Sequence, residues 1–213
     1  MNNKKITFII SVNNELYFEE CNWYLNGLTI PEGFEIDIVS VREASSMAEA
    51  YNAAMESSDA KYKVYLHQDV FIINKNFISD IVNLFQSDDK IGMLGVIGGV
   101  NNPKNGVFYN AWNCGRTIPS GYSLAVDTCF YQKEPYLCVD ALDGMLLATQ
   151  YDIRWREDIF KQWDFYDISQ SFEFIKAGYH IVIPFQNNSW TYHDCGYSNL
   201  ANYDKNRTIM FEA

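Results

Sequence analysis

Two hydrophobic periods alternate along the first hundred residues. Residues 6–12 form a short β-rich apolar run, the pattern of a strand buried on both faces. Phe18, Cys21, Leu25 and Leu28 then recur at helical spacing. A second strand is predicted over 34–41. Ser46 precedes Glu49 by three residues, a capping-box pattern, and Met47, Ala50, Tyr51 and Ala54 share the helical face that follows. Residues 62–66 read as a third strand, running into His67-Gln68-Asp69. Asn74 is positioned to cap a helix whose face carries Phe77, Ile81, Leu84 and Phe85. Residues 91–100 read as a strand broken by glycines.

This order predicts an α/β fold with a mostly parallel central sheet flanked by helices and right-handed crossovers. Ligands of such sheets bind beyond the carboxyl ends of the strands. Val12-Asn13, Val41-Arg42 and the 67–69 triplet should therefore converge on one rim. The second half is less regular. Residues 101–123, rich in Asn, Gly and Pro, read as a long loop, and loops of that length are usually functional or mobile. Residues 138–149 lead into a buried run. A helix is expected over 164–177 with Phe165, Ile168, Phe172 and Ile175 inward and Gly178 at its end. Residues 179–184 read as a last strand, and no element is assigned to the tail from Tyr197. The chain reads as one domain over residues 1–213, in two halves divided near residue 100 (about 1–100 and about 101–213), which the family resemblance below implies are nucleotide-binding and acceptor-side.

Charge narrows the ligand classes. The net charge is −11, and no Lys/Arg cluster offers the basic surface that a nucleic-acid binder needs. A nucleotide diphosphate meets the same repulsion unless a divalent cation inverts the local field, so a diphosphate site here calls for carboxylates. Five cysteines with no CxxC pair read as reduced thiols of a cytoplasmic protein. No run approaches the ~20 apolar residues of a membrane span. The stretch 95–99 lacks the GxGxxG spacing of a dinucleotide site, and no Walker lysine motif occurs.

Several positions can carry chemistry, each beside a plainer role. Asp69 ends a hydrophobic strand, where it binds a divalent metal or caps a turn. Asp164 and Asp167 open a helix, where they act as caps or, for a carboxylate so placed, as a general base. His193 follows an aromatic stretch, as a ligand or a structural residue. Asp140 and Asp143, beside Gly144, meet sugar hydroxyls or form a turn.

Taken in order, these pieces resemble the family 2-like glycosyltransferases of the GT-A fold. Residues 9–15 are similar to that family's first strand and its Asn-Glu turn, which implies donor contacts from Val12, Asn13 and Glu15. Residues 36–41 are similar to the second strand, where Arg42 stands in place of a base-contacting acid. Residues 46–52 resemble the helix that brings Asn52 to the nucleotide. His67-Gln68-Asp69 lies where the family has Asp-x-Asp, and a branch carries this same triplet. Tyr166-Asp167 followed by Ala177-Gly178-Tyr179 is similar to the Glu-Asp motif and the helix end beyond it.

The resemblance implies a metal-dependent, inverting transfer from a nucleotide-sugar, a UDP-sugar first among them, to a glycan or other hydroxyl acceptor. Asp167 is then the catalytic base. Mn²⁺ or Mg²⁺ is held by Asp69 and His193. Donor contacts come from Val12, Asn13, Glu15, Arg42, Asn52, His67, Gln68, Asp69, Asp143 and Gly144. The departures at 67, 166 and the base-contacting position leave a second class open, a catalytically silent domain that binds a nucleotide or glycan.

Overall fold

The computed structural model describes residues 1–120, 134–196 and 200–212. In chain order the elements are β1 (Asn2–Val12), α1 (Glu15–Asn26), β2 (Glu35–Arg42), α2 (Met47–Ser57), β3 (Ala60–His67), β4 (Val70–Ile72), α3 (Phe77–Ser87), β5 (Ile91–Gly95) and β6 (Ile97–Gly99). They continue with β7 (Cys114–Gly115), β8 (Ile118–Pro119), β9 (Tyr136–Cys138), β10 (Ala141–Leu142), β11 (Leu146–Thr149), α4 (Tyr166–Lys176), β12 (His180–Pro184), β13 (Thr191–His193) and α5 (Tyr203–Glu212).

The central sheet has seven strands in the order β2-β1-β3-β11-β5-β12-β9. β1 pairs in parallel with both β2 and β3, as expected of strand–helix–strand units. β11 enters antiparallel between β3 and β5, and β9 closes the edge antiparallel to β12, so the α/β sheet is mixed. The parallel half is the half whose period switched regularly in the sequence. β11 and β9 instead arrive from the irregular stretch between residues 100 and 150.

β1 explains why its sequence is a continuous apolar run. Phe8 and Ile10 face the layer that holds Cys21 and Leu25 of α1 and Ile78, Ile81 and Phe85 of α3. Ile9 faces the opposite layer, with Met47, Tyr51 and Ala54 of α2 and Tyr166 and Phe174 of α4. Both faces of the strand are covered, so neither can alternate with polar residues.

Helix ends depart from the expected caps in three places. Ser46 caps α2, its Oγ accepting from Glu49 N at 3.2 Å, but the Glu49 carboxylate reaches back to Ser45 N at 2.7 Å. Asn76, and not Asn74, precedes α3. Asn74 Oδ1 accepts from Asn76 N at 3.1 Å and shapes the turn before the helix. Asp164 does not cap α4. The helix begins behind Phe165 in a left-handed conformation (φ 64°), and Asp164 accepts instead from Asn206 of α5. The inward face of α4 is also rotated from the one expected. Phe165, Ile168 and Phe174 are buried, whereas Ile175 is exposed. Gly178 does end the helix, with φ 86°, a conformation that favours glycine.

Residues 101–120 hold only a short 3-10 turn and two-residue strands, while 121–123 of the expected loop and Cys129 lie outside the described residues. The tail from Tyr197, beyond 197–199, forms α5. Among the described residues no helix is long and apolar enough to cross a membrane.

Candidate active site

The strand register brings the polar ends to one rim. Val12 lies beside Arg42 and Ser11 beside His67, so β1, β2 and β3 end level with one another. The turn at Gln68-Asp69 then folds the chain into β4. β13 runs antiparallel to β4 with His193 opposite Val70, and Asp194 N donates to Asp69 O at 2.9 Å. That small sheet carries a residue from the end of the chain to the end of the third strand. His193 Nε2 stands 3.6 Å from Asp69 Oδ1, and His67 Nδ1 stands 4.0 Å from the same oxygen. The three ligand-capable atoms lie within 4.8 Å of one another.

The second part of the rim comes from the turn before β11 and the start of α4. Gly144 N donates to Asp167 Oδ2 at 2.8 Å, and Ile168 N donates to Asp167 Oδ1 at 2.9 Å. Asp143 Oδ1 accepts from Met145 N at 2.9 Å, and His67 N donates to Met145 O at 3.0 Å. Glycine is required at 144. A Cβ there would lie 2.1 Å from the Tyr166 hydroxyl and 2.9 Å from Asp167 Cβ. Tyr166 Oη in turn lies 2.6 Å from His67 Nε2. The turn, the helix start and the 67–69 triplet thus form one connected cluster.

The cluster's electrostatics separate its two carboxylates. Burial pushes the Asp167 carboxyl up to about 7, and the charge of Asp143 adds to this; the two backbone N–H donors oppose it without cancelling it. At Asp69 burial also presses upward. There the hydrogen bond from His193 and the charges of the two imidazoles outweigh it and hold the carboxyl below its ordinary value. Burial lowers the His67 imidazole, with Asp69 pulling the other way. One acid is therefore ionised and flanked by nitrogen donors, and the other takes up a proton near neutrality.

The other sequence-predicted residues divide into those at the rim and those engaged elsewhere. Gln68 Oε1 accepts from the backbone N–H groups of Asn13 and Asn14 at 3.0 and 2.9 Å, so it braces the β1–α1 turn. Arg42 makes a two-pronged pair with Glu15, at 2.7 and 2.9 Å, on the outer side of that turn. Val12 is buried. Asn52 is 2% exposed; its amide donates to Trp155 O and Glu157 Oε2 and accepts from Trp155 N. It ties the 155–157 segment to α2 and does not face the rim cluster. Asp140 Oδ2 accepts from Asn101 N in the neighbouring turn. Two features had no strong signal in the sequence: the Tyr166–His67 contact and the clasp of Asn52 on Trp155. Both join positions about a hundred residues apart.

Two imidazoles and a carboxylate suit a borderline cation. Imidazole nitrogen suits the later first-row cations best; Mn²⁺ stands at the weak end of that series but accepts nitrogen more readily than Mg²⁺, which favours an all-oxygen shell. The donor set fits Mn²⁺ better than Mg²⁺.

A model of the glycosyltransferase-like family matches residues 7–213. The chain belongs to that family. A search of curated proteins found no match. Similar solved structures include the mannosyltransferase PcManGT from Pyrobaculum calidifontis in complex with GDP-Man and Mn²⁺. It is 12% identical, with a TM-score of 0.62 over 97% of this chain and 61% of that one. Another is S. aureus TarS 1–349 in complex with UDP-GlcNAc, 12% identical, with a TM-score of 0.61 over 98% of this chain and 66% of that one. Identity this low shows the shared GT-A fold alone. The chain spans less than two thirds of the length of either structure.

Proposed function

We propose that this chain is an inverting, metal-dependent glycosyltransferase that moves a sugar from a nucleotide-sugar, a UDP-sugar in the first instance, to an acceptor hydroxyl. The observation that carries the reading is one rim that joins Asp69, His193 and His67, with ligand atoms within 4.8 Å of one another, to a second carboxylate, Asp167, held by the N–H groups of Gly144 and Ile168. Similar structures hold GDP-Man with Mn²⁺ or UDP-GlcNAc, which supports a nucleotide-sugar donor.

Asp69 and His193 would hold a divalent cation, Mn²⁺ in preference to Mg²⁺. A cation held there would supply positive charge against the charge that develops on the leaving diphosphate. Asp167 takes the proton of the acceptor hydroxyl as that oxygen bonds to the anomeric carbon. The bond from that carbon to the diphosphate breaks on the opposite face, and the nucleoside diphosphate departs. A base poised near the working pH contributes roughly 10²–10⁴-fold. Gly144 N holds Asp167 Oδ2 in place. Asn13, Glu15, Arg42 and Gln68 shape the wall beside the donor, and Asp143 and Gly144 form the turn under it. The thiols of Cys21 and Cys138, outside any disulfide, accord with a cytoplasmic setting.

The test is a donor-hydrolysis screen over UDP-, GDP- and dTDP-sugars, with Mn²⁺ and with EDTA, reading released nucleotide. Metal-dependent release from one donor is the expected result and names the sugar. Binding of UDP and Mn²⁺ without release, in the presence or absence of added hydroxyl acceptors, would favour the silent binding domain. Absence of both binding and release would sink the nucleotide-sugar reading.

A further inference from the structure

We propose that His67 is itself a ligand of the cation, through Nδ1, and that Tyr166 is the positioning residue that holds it in that role. The inference rests on the metal-dependent reading above and goes beyond it in both residues. The two nitrogens of His67 are already divided: Nε2 lies 2.6 Å from Tyr166 Oη, and Nδ1 faces Asp69 Oδ1 at 4.0 Å. With Nε2–H donating to the tyrosine oxygen, the Nδ1 lone pair points to the space shared with Asp69 and His193. A hydrogen bond of this kind on the far nitrogen is what fixes the tautomer and ring orientation of metal-binding histidines.

Tyr166 is built to be a fixed partner. It is 5% exposed and packs against Tyr51 and Trp155, with ring centroids 5.9 and 6.0 Å away. Gly144 leaves the room its hydroxyl occupies. The alternative, that His67 donates directly to a phosphate, is disfavoured in this tautomer, because Nδ1 then carries a lone pair and no proton.

The pairing also joins two departures from the family's pattern. The first acid of Asp-x-Asp is His67 here, and the acid before Asp167 is Tyr166. They meet in space. A carboxylate at 67 would need no partner to offer an oxygen to the cation, whereas an imidazole needs its far nitrogen held. The two changes read as one exchange, which turns an oxygen-rich metal site into one with two imidazoles and one carboxylate. Such a set shifts selection from Mg²⁺ towards Mn²⁺.

The experiment titrates Mn²⁺ into the full chain with UDP present, following the free-ion signal by electron paramagnetic resonance, with Mg²⁺ as competitor. Wild type, Tyr166→Phe and His67→Asp are compared. Tyr166→Phe keeps the buried ring and removes only the hydroxyl. It should weaken Mn²⁺ about 10–100-fold, the usual cost of losing such a partner, with little change in metal-free melting temperature. His67→Asp should bind Mg²⁺ at least about tenfold better relative to Mn²⁺ than wild type does. A purely structural tyrosine would not move Mn²⁺ affinity at constant stability. Mn²⁺ affinity within twofold of wild type in Tyr166→Phe, or an unchanged Mn²⁺/Mg²⁺ ratio in His67→Asp, would overturn the inference while leaving Asp69 and His193 as ligands. If wild type bound no Mn²⁺ and turned over donor in EDTA, the metal-dependent reading would fall, and this inference with it.

Discussion

Replacing Asp167 by Asn should change stability in opposite directions at low and high pH. The folded carboxyl titrates at about 7, against about 3.9 in an unfolded chain. Its folded value is raised, so the native state binds a proton that the unfolded state has released. The resulting penalty is absent below about pH 3.9, grows as pH rises and levels off above the folded value. At 1.36 kcal/mol per unit, about three units amount to on the order of 4 kcal/mol above pH 7. By the same linkage, on the order of 1.5 kcal/mol is already present at pH 5. What sets this balance is the burial of the carboxyl and the charge of Asp143, opposed by the backbone N–H donors of Ile168 and Gly144.

Asn keeps one acceptor oxygen but offers an NH₂ group to the other backbone N–H, at Gly144 or Ile168. An unsatisfied donor there costs about 1–3 kcal/mol at any pH. Asp167→Asn should therefore be about neutral to less stable than wild type at pH 5 and more stable at pH 8.5. The swing between them is about 2–3 kcal/mol, or about 5–10 °C in melting temperature for a chain of this size. Thermal unfolding in EDTA at both pH values measures it, and the same variant should lose about 10²–10⁴-fold in turnover. A difference in melting temperature that stayed within 2 °C across the range would show that Asp167 titrates as an ordinary carboxyl. The assignment of the base would then lose its physical ground.

Asp69→Ala should abolish the metal-dependent part of UDP binding, read by titration calorimetry with and without Mn²⁺, because the two imidazoles left behind, His67 and His193, retain little of it. Gly144→Ala should displace Tyr166 and Asp167 together, because its Cβ would fall 2.1 Å from the tyrosine hydroxyl; overpacking of this kind costs about 1–3 kcal/mol in a denaturant titration, and donor turnover should fall with it. Away from the site, Asp152→Ala should cost about 3–5 kcal/mol by chemical unfolding, since Lys63 is 1% exposed and its ammonium would be left buried without a charge partner. Lys63→Met should be far milder in the same assay, because it removes the buried charge and leaves only a partly solvated carboxylate.

The first half of the fold was legible in the sequence because its signals are local. A strand covered on both faces must be apolar at every position, as β1 is, and an amphipathic helix must repeat its inward residues every three or four. Ser46 before Glu49 announced the start of α2 from neighbouring residues alone. The level rim of β1, β2 and β3 followed from the element order, because parallel crossovers leave little choice of register. Asp69, Asp167 and His193 could be nominated as candidates, since each sits at the end of an element whose type could be read.

What the sequence left undecided depends on contacts between distant positions. The rotation of α4, with Phe174 inward and Ile175 exposed, is set by Phe165 in its left-handed turn and by the layer below the helix. The roles of Gln68, Arg42 and Asn52 were settled by partners elsewhere in the chain, namely the β1–α1 turn, Glu15 and Trp155. Antiparallel insertion of β11 carries Asp143 and Gly144 under α4, and no period or spacing encodes that placement. Only there do burial and a second carboxylate raise Asp167, and only there does Tyr166 meet His67. A sequence determines which groups are available and which local conformations they favour. The distances and the dielectric that turn a carboxylate into a base, or an imidazole into a ligand, arise when elements far apart along the chain pack together.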